Sequence, residues 1–161
     1  MIESRFAHKC LAIDLEVARD SDRIHHFAAI RGDNGEKVMY SGGKLAVALR
    51  QADALADGAE FVLGHNVIAF DLPHIRAIAP ELRLLRLPVL DTLRFSPLAF
   101  PQNPYHRLIK HYKDGGLLRF RRNDPELDAR ISLQLLGEEE AAFTLLKDNS
   151  PHLLAAWHWL L

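Results

Sequence analysis

An α/β fold, a mixed sheet of a three-strand meander plus parallel strands flanked by helices, is predicted by how hydrophobic periodicity changes along the chain. Three apolar runs of strand length come first, strand and helix patterns then alternate, and helical patterns alone fill the C-terminal third. Residues 9–17 (KCLAIDLEV), 23–32 (RIHHFAAIRG) and 36–43 (EKVMYSGG) form the expected meander. The link GDNGE supplies the Gly, Asn and Asp of a hairpin turn between the second and third strands. LAVALRQADALADG (45–58) has apolar residues at helical spacing and stops on Gly58. FVLGHN (61–66) has the length of a strand, and AFDLPHIRAIAPEL (69–82) is helical if Pro73 lies in the first turn. LPVLDTLRFSPLAF (87–100) reads as a short strand feeding a helix that Pro97 interrupts or ends. YHRLIKHYKDGG (105–116) is helical and closed by glycines. DPELDARISLQLL (124–136) opens with Asp124 as the cap and Pro125 at the first helical position. EEEAAFTLLKDN and PHLLAAWHWLL complete the helical end.

A chain of 161 residues fits one domain, with a core over about 9–136 and a helical extension over 137–161. The 20 basic residues nearly balance the 21 acidic ones, so no global basic field points to nucleic acid. A site rich in carboxylates would produce the same balance, so the neutrality excludes little. The single cysteine excludes a disulfide framework and a Cys-based zinc site, and suits a reducing cytoplasm. Cys10 lies beside Leu11, Ala12 and Ile13, which predicts a buried strand residue rather than a reactive thiol. The apolar run near the start is too short for a signal peptide or a membrane span, so no membrane partner is expected. SPHLLAAWHWLL ends on an apolar helical pattern. Either the chain is the N-terminal part of a longer protein, or its last helix docks on the domain.

Four acids carry the functional expectation. Asp14 and Glu16 stand two apart on the first strand, so both side chains leave the same face. Two carboxylates side by side on an apolar strand repel one another, and a hard divalent cation relieves that cost. The plainer alternative is that Glu16 marks the exposed strand end and Asp14 caps something local. Asp71 and Asp128 each stand near the start of a helix, where an acid also favours the helix dipole.

Taken together and in order, IDLE, GHNVIAFDL, VLDTL and LDARISL resemble the motifs of the DEDD (DnaQ-like) 3′–5′ exonucleases, a branch of the ribonuclease H-like fold. The resemblance covers about residues 9–136, and GHNVIAFDL is its most specific part. It implies a ribonuclease H-like sheet and two divalent cations, Mg²⁺ or Mn²⁺. Asp14, Glu16 and Asp128 would hold the first ion; Asp14 and Asp71 would serve the second. It further implies hydrolysis of nucleic acid from a 3′ end to nucleoside monophosphates, with the backbone near Leu15 and Val17 meeting the terminal nucleotide. DNA is the expected polymer, with RNA as the alternative.

The chain departs from that pattern at one place. Where the family carries His five residues before the last acid, or Tyr four before it, this sequence has Asn123 and Asp124. Asn has no titratable lone pair and cannot act as a general base. Three readings follow: Asn123 orients water, or a histidine such as His106 or His111 takes the role, or the domain binds 3′ ends and cleaves slowly or not at all. The last reading fits a recruitment module of a larger DNA-processing protein. Domains of this type occur ahead of a RecQ-type helicase, which makes a covalently linked helicase region a candidate partner. Arg119, Phe120, Arg121 and Arg122 could grip phosphates and stack a base, or form a solvated loop. Arg107, Lys110 and Lys113 are ambiguous in the same way. His65 reads as support for a strand end, Asn66 as a substrate contact or a loop brace, and His25 and His26 as surface or core residues rather than ligands.

Overall fold

Alternation of side chains along the strands decides the architecture. The computed structural model describes residues 4–18, 23–106, 108 and 124–160. Within them, β1 (Cys10–Val17), β2 (Ile24–Arg31) and β3 (Lys37–Tyr40) form the expected antiparallel meander. β4 (Phe61–Gly64) and β5 (Val89–Asp91) add parallel to the far side of β1, giving the order β3-β2-β1-β4-β5. The predicted hairpin turn between β2 and β3 is present. Gly35 takes the left-handed conformation at φ 72°, the Arg31 N–H donates to the Glu36 carbonyl at 2.8 Å, and the Asn34 side chain accepts from the Glu36 N–H at 2.9 Å.

The first helix, α1 (Leu45–Leu55), ends before a turn that carries Gly58 at φ 76°. α2 (Asp71–Ile78) is shorter than the pattern over 69–82 suggests. Pro73 falls in its first turn, and Pro80 keeps the preceding Ala79 out of helical geometry, at φ −145° and ψ 72°. α3 (Thr92–Ala99) ends two residues after Pro97. α4 (Pro125–Asn149) is capped as expected, the Asp124 carboxylate accepting from the Leu127 N–H at 3.2 Å. It runs through Gly137 as one helix of 25 residues, and α5 (Pro151–Leu160) packs against it. The expected helix over 105–116 lies almost wholly outside the described residues.

Odd-numbered residues of β1 (Leu11, Ile13 and Leu15) join Phe27, Ala29, Leu49, Leu72 and Ile75 in a core on the α1/α2 side. Even-numbered Cys10 and Ala12 join Ile30, Leu63, Ala129 and Leu136 on the α4 side. Cys10 is fully buried; burial, with Glu140 and Glu60 nearby, pushes its thiol up to about 12, so it is a core residue rather than a nucleophile. No helix among the described residues is long and apolar enough to cross a membrane.

One buried acid escapes any periodicity argument. Glu139 on α4 is fully buried and accepts a 2.6 Å hydrogen bond from the Ser96 hydroxyl of α3. Burial raises its carboxyl from 4.5 to about 8, against the Ser96 bond and with help from Asp91 and Glu138. The folded chain therefore keeps a proton that the unfolded chain has released, and stability falls as pH rises between about 4.5 and about 8. Glu139→Gln is expected to flatten that fall, read as urea midpoints at pH 5 and pH 8. An unchanged pH slope would place the proton elsewhere.

Candidate metal centre

The even-numbered face of β1 leaves the core as the strand advances. Cys10 and Ala12 are buried beneath α4, whereas Asp14 and Glu16, continuing the same row, are half-buried beyond it. The first turn of α4 brings Asp128 to this spot. One carboxylate oxygen from each of Asp14, Glu16 and Asp128 lies within 4.8 Å of the others. Octahedral Mg²⁺ binds oxygens at ~2.1 Å, which sets ligand oxygens roughly 3–4.2 Å apart. The observed spacing is close to that range, so the three oxygens could hold one hard cation. With oxygen as the only donor element in the group, the chemistry suits Mg²⁺ or Mn²⁺ better than a thiophilic metal.

Asp71 stands outside that group. It is 2 % exposed on α2, and its Oδ1 accepts a 2.9 Å bond from the Leu15 N–H, between the two acids of β1. Burial pushes its carboxyl up to about 7; the N–H of Leu15 and its own backbone pull it down, and Asp91 and Glu16 push it further up. The Leu15 side chain is buried in the α1/α2 core, and Val17 is half-buried after a register shift that follows Glu16.

The GHN segment has a clear structural logic. A Cβ on Gly64 would come within 2.8 Å of the Val67 side chain and 3.0 Å of the Ile13 carbonyl, so only glycine lets the chain turn there. Asn66 takes φ 66°, a left-handed conformation that Asn tolerates better than most residues. Its N–H donates to Asp91 Oδ1 at 2.8 Å, which gives its backbone the bracing role. Thr92 Oγ1 donates to the Gly64 carbonyl at 3.3 Å and thus accepts from His65 Nδ1 at 2.9 Å, which fixes the ring tautomer. Burial holds the His65 imidazole below its usual range, against Asp91, the His106 backbone and Asp128.

Asp91 and Glu139 are the buried polar anchors that the sequence reading left without a role. The signal for Asp91 was its place just before a helix, a capping position; Glu139 offered none. Asn123, Arg119, Phe120, Arg121, Arg122, Arg107, Lys110, Lys113 and His111 lie outside the described residues, and His106 is half-buried. His25 and His26 are both exposed on β2, as surface residues. No family model matches the chain, and neither a curated protein nor a solved structure matches it significantly. A functional reading therefore rests on the site geometry and the order of the motifs.

Proposed function

We propose that the chain is a metal-dependent 3′–5′ exonuclease that releases nucleoside monophosphates from nucleic acid, DNA in the first instance. The observation that carries this is the convergence of Asp14, Glu16 and Asp128, from one strand and one distant helix, into a single group of oxygens. The meander with two parallel strands beside β1 agrees with the ribonuclease H-like arrangement that the motifs imply. Two divalent cations are part of the proposal. When bound, such ions neutralise the charge of a phosphodiester and make water a better nucleophile near neutral pH.

The protein's own groups divide the remaining work. Asp14, Glu16 and Asp128 bind the metal, and their common face defines where the phosphate lies. Asp71 holds the β1 backbone between the two strand acids through the Leu15 N–H, and so keeps them at one spacing. It serves the second ion in this proposal. Asn123 orients the attacking water by hydrogen bond but cannot take its proton.

The test is release of mononucleotides from 3′-labelled single strands with Mg²⁺ or Mn²⁺. Metal binding without release under either ion would overturn the enzyme reading and favour the 3′-end-binding module, which the absence of His at position 123 also suits. Asn123→His is expected to raise turnover on the order of 10²–10⁴-fold, the usual contribution of a general base. No gain would mean that proton removal does not limit the rate.

A further inference from the structure

We infer that the chain pairs with a second copy of itself through α5, Trp159 of each copy entering a groove between α3, α4 and α5 of the other. The inference is independent of the exonuclease reading and concerns a different end of the molecule. Its basis is an apolar helix that the fold uses on one side alone. Leu154 and Trp157 are half-buried, whereas His152, Ala155, Ala156 and Trp159 are exposed. Those four follow the i, i+3, i+4, i+7 spacing of a single helix face. Trp159, at 84 %, is the most exposed large apolar side chain among the described residues.

Beside that stripe lies a cavity of about 560 Å³. Phe95 and Leu98 of α3, Phe143 of α4 and Leu154, Ala155 and Trp157 of α5 wall it. Lys147 and His158 are the polar side chains around it. A space of this size with aromatic walls suits an aromatic group, and Lys147 adds a cation for the face of an indole. Trp159 lies outside the cavity of its own chain. Ala155 belongs both to the exposed stripe and to the cavity wall, and Trp159 stands one helical turn beyond it. Knob and hole therefore share one continuous surface, as a two-fold contact between identical copies requires.

Position and area select a second copy as the occupant. Two α5 helices laid antiparallel about an axis at Ala155 and Ala156 meet through small side chains that permit close approach. Trp159 of one copy then lies level with His152 of the other, at the end where Pro151 and Lys147 border the cavity. An aromatic side chain buries about 150–250 Å². Two tryptophans, the walls that cover them and the helix crossing give roughly 1,000–1,200 Å² in all, at the lower edge of specific interfaces. A dissociation constant in the micromolar range follows. The acid cluster stays open in such a pair. Phe143 lies 15 residues beyond Asp128 on α4, roughly 22 Å along the helix.

Sedimentation equilibrium of the full chain over a concentration series, without metal, tests this. The expected result is a monomer of 18.2 kDa in equilibrium with a dimer of twice that mass. Trp159→Ala should weaken the dimer on the order of 30-fold, as for a buried aromatic anchor, and Trp159→Phe should restore part of the loss. Ala155→Arg, at an exposed position, should obstruct the cavity with an effect as large. Far-UV circular dichroism should be unchanged in all three variants, because neither residue belongs to a buried core. A chain that stays monomeric to millimolar concentration leaves the groove to a partner of other chemistry and overturns the inference. A dimer that survives Trp159→Ala or Ala155→Arg unweakened also overturns it, because the copies then meet elsewhere.

Discussion

Asp14→Asn is expected to remove metal-dependent hydrolysis, lowering mononucleotide release on the order of 10³-fold or more, while the domain stays folded. A cation held by carboxylates stabilises a phosphoryl transition state by several kcal/mol, and each ~1.4 kcal/mol is ten-fold in rate. Asn is nearly isosteric with Asp, and Asp14 is half-buried, so packing changes little. The loss should reach binding as well as turnover. A ligand present at 100 times its Kd stabilises the native state by about 2.7 kcal/mol. For a chain of this size that raises the thermal midpoint by roughly 5–10 °C. The wild type should show that rise with Mn²⁺ and Asp14→Asn should not. A variant that retains both the rise and the activity would remove Asp14 from the centre.

Asp91→Ala is expected to be the most destabilising single change near the site, costing about 3–5 kcal/mol. Asp91 is 3 % exposed, and its two oxygens accept from the N–H groups of Asn66, Ile68 and Leu93 at 2.8, 3.1 and 3.1 Å. Truncation leaves three backbone donors without their acceptor and removes the N-cap of α3. Water can reach part of this shell, which keeps the sum below three full desolvation penalties. At about 2–4 °C per kcal/mol, the thermal midpoint should fall on the order of 10 °C, measured by calorimetry without metal. The damage should also spread to function. Asn66 and Ile68 lead into the turn before Asp71, so loss of the brace loosens the acid that holds Leu15. A fall of only a degree or two would mean that other groups carry the β4–α3 corner.

The contrast between these residues shows how much of the site was readable in the sequence. Asp14 and Glu16 could be placed on one face because strand periodicity is two and nothing interrupts IDLE. Asp128 could be placed in the first or second turn of a helix because Asp124 and Pro125 mark its start. That the three acids meet could not be read from periodicity. It depends on α4 lying across β1 with the right register, a packing result involving Ala129, Ser132 and Leu136. The motif order anticipated the meeting only through resemblance. Asp71 illustrates the limit: its position at a helix start was legible, but its burial and its bond to Leu15 were not.

By itself the sequence determined the kinds and order of the elements among the described residues, the hairpin at GDNGE, the N-cap of α4 and the shared face of Asp14 and Glu16. These are local consequences of backbone conformation, turn chemistry and side-chain period, which need no knowledge of distant partners. Only the tertiary structure decided which acids share a cluster, which become buried polar anchors and which residues stand beside them. Asp91 and Glu139 are the clearest cases. Their environments come from a helix packing on a strand end and two helices closing on a carboxyl. Each is a long-range contact set by the burial of apolar faces, and none leaves a periodic trace in the chain.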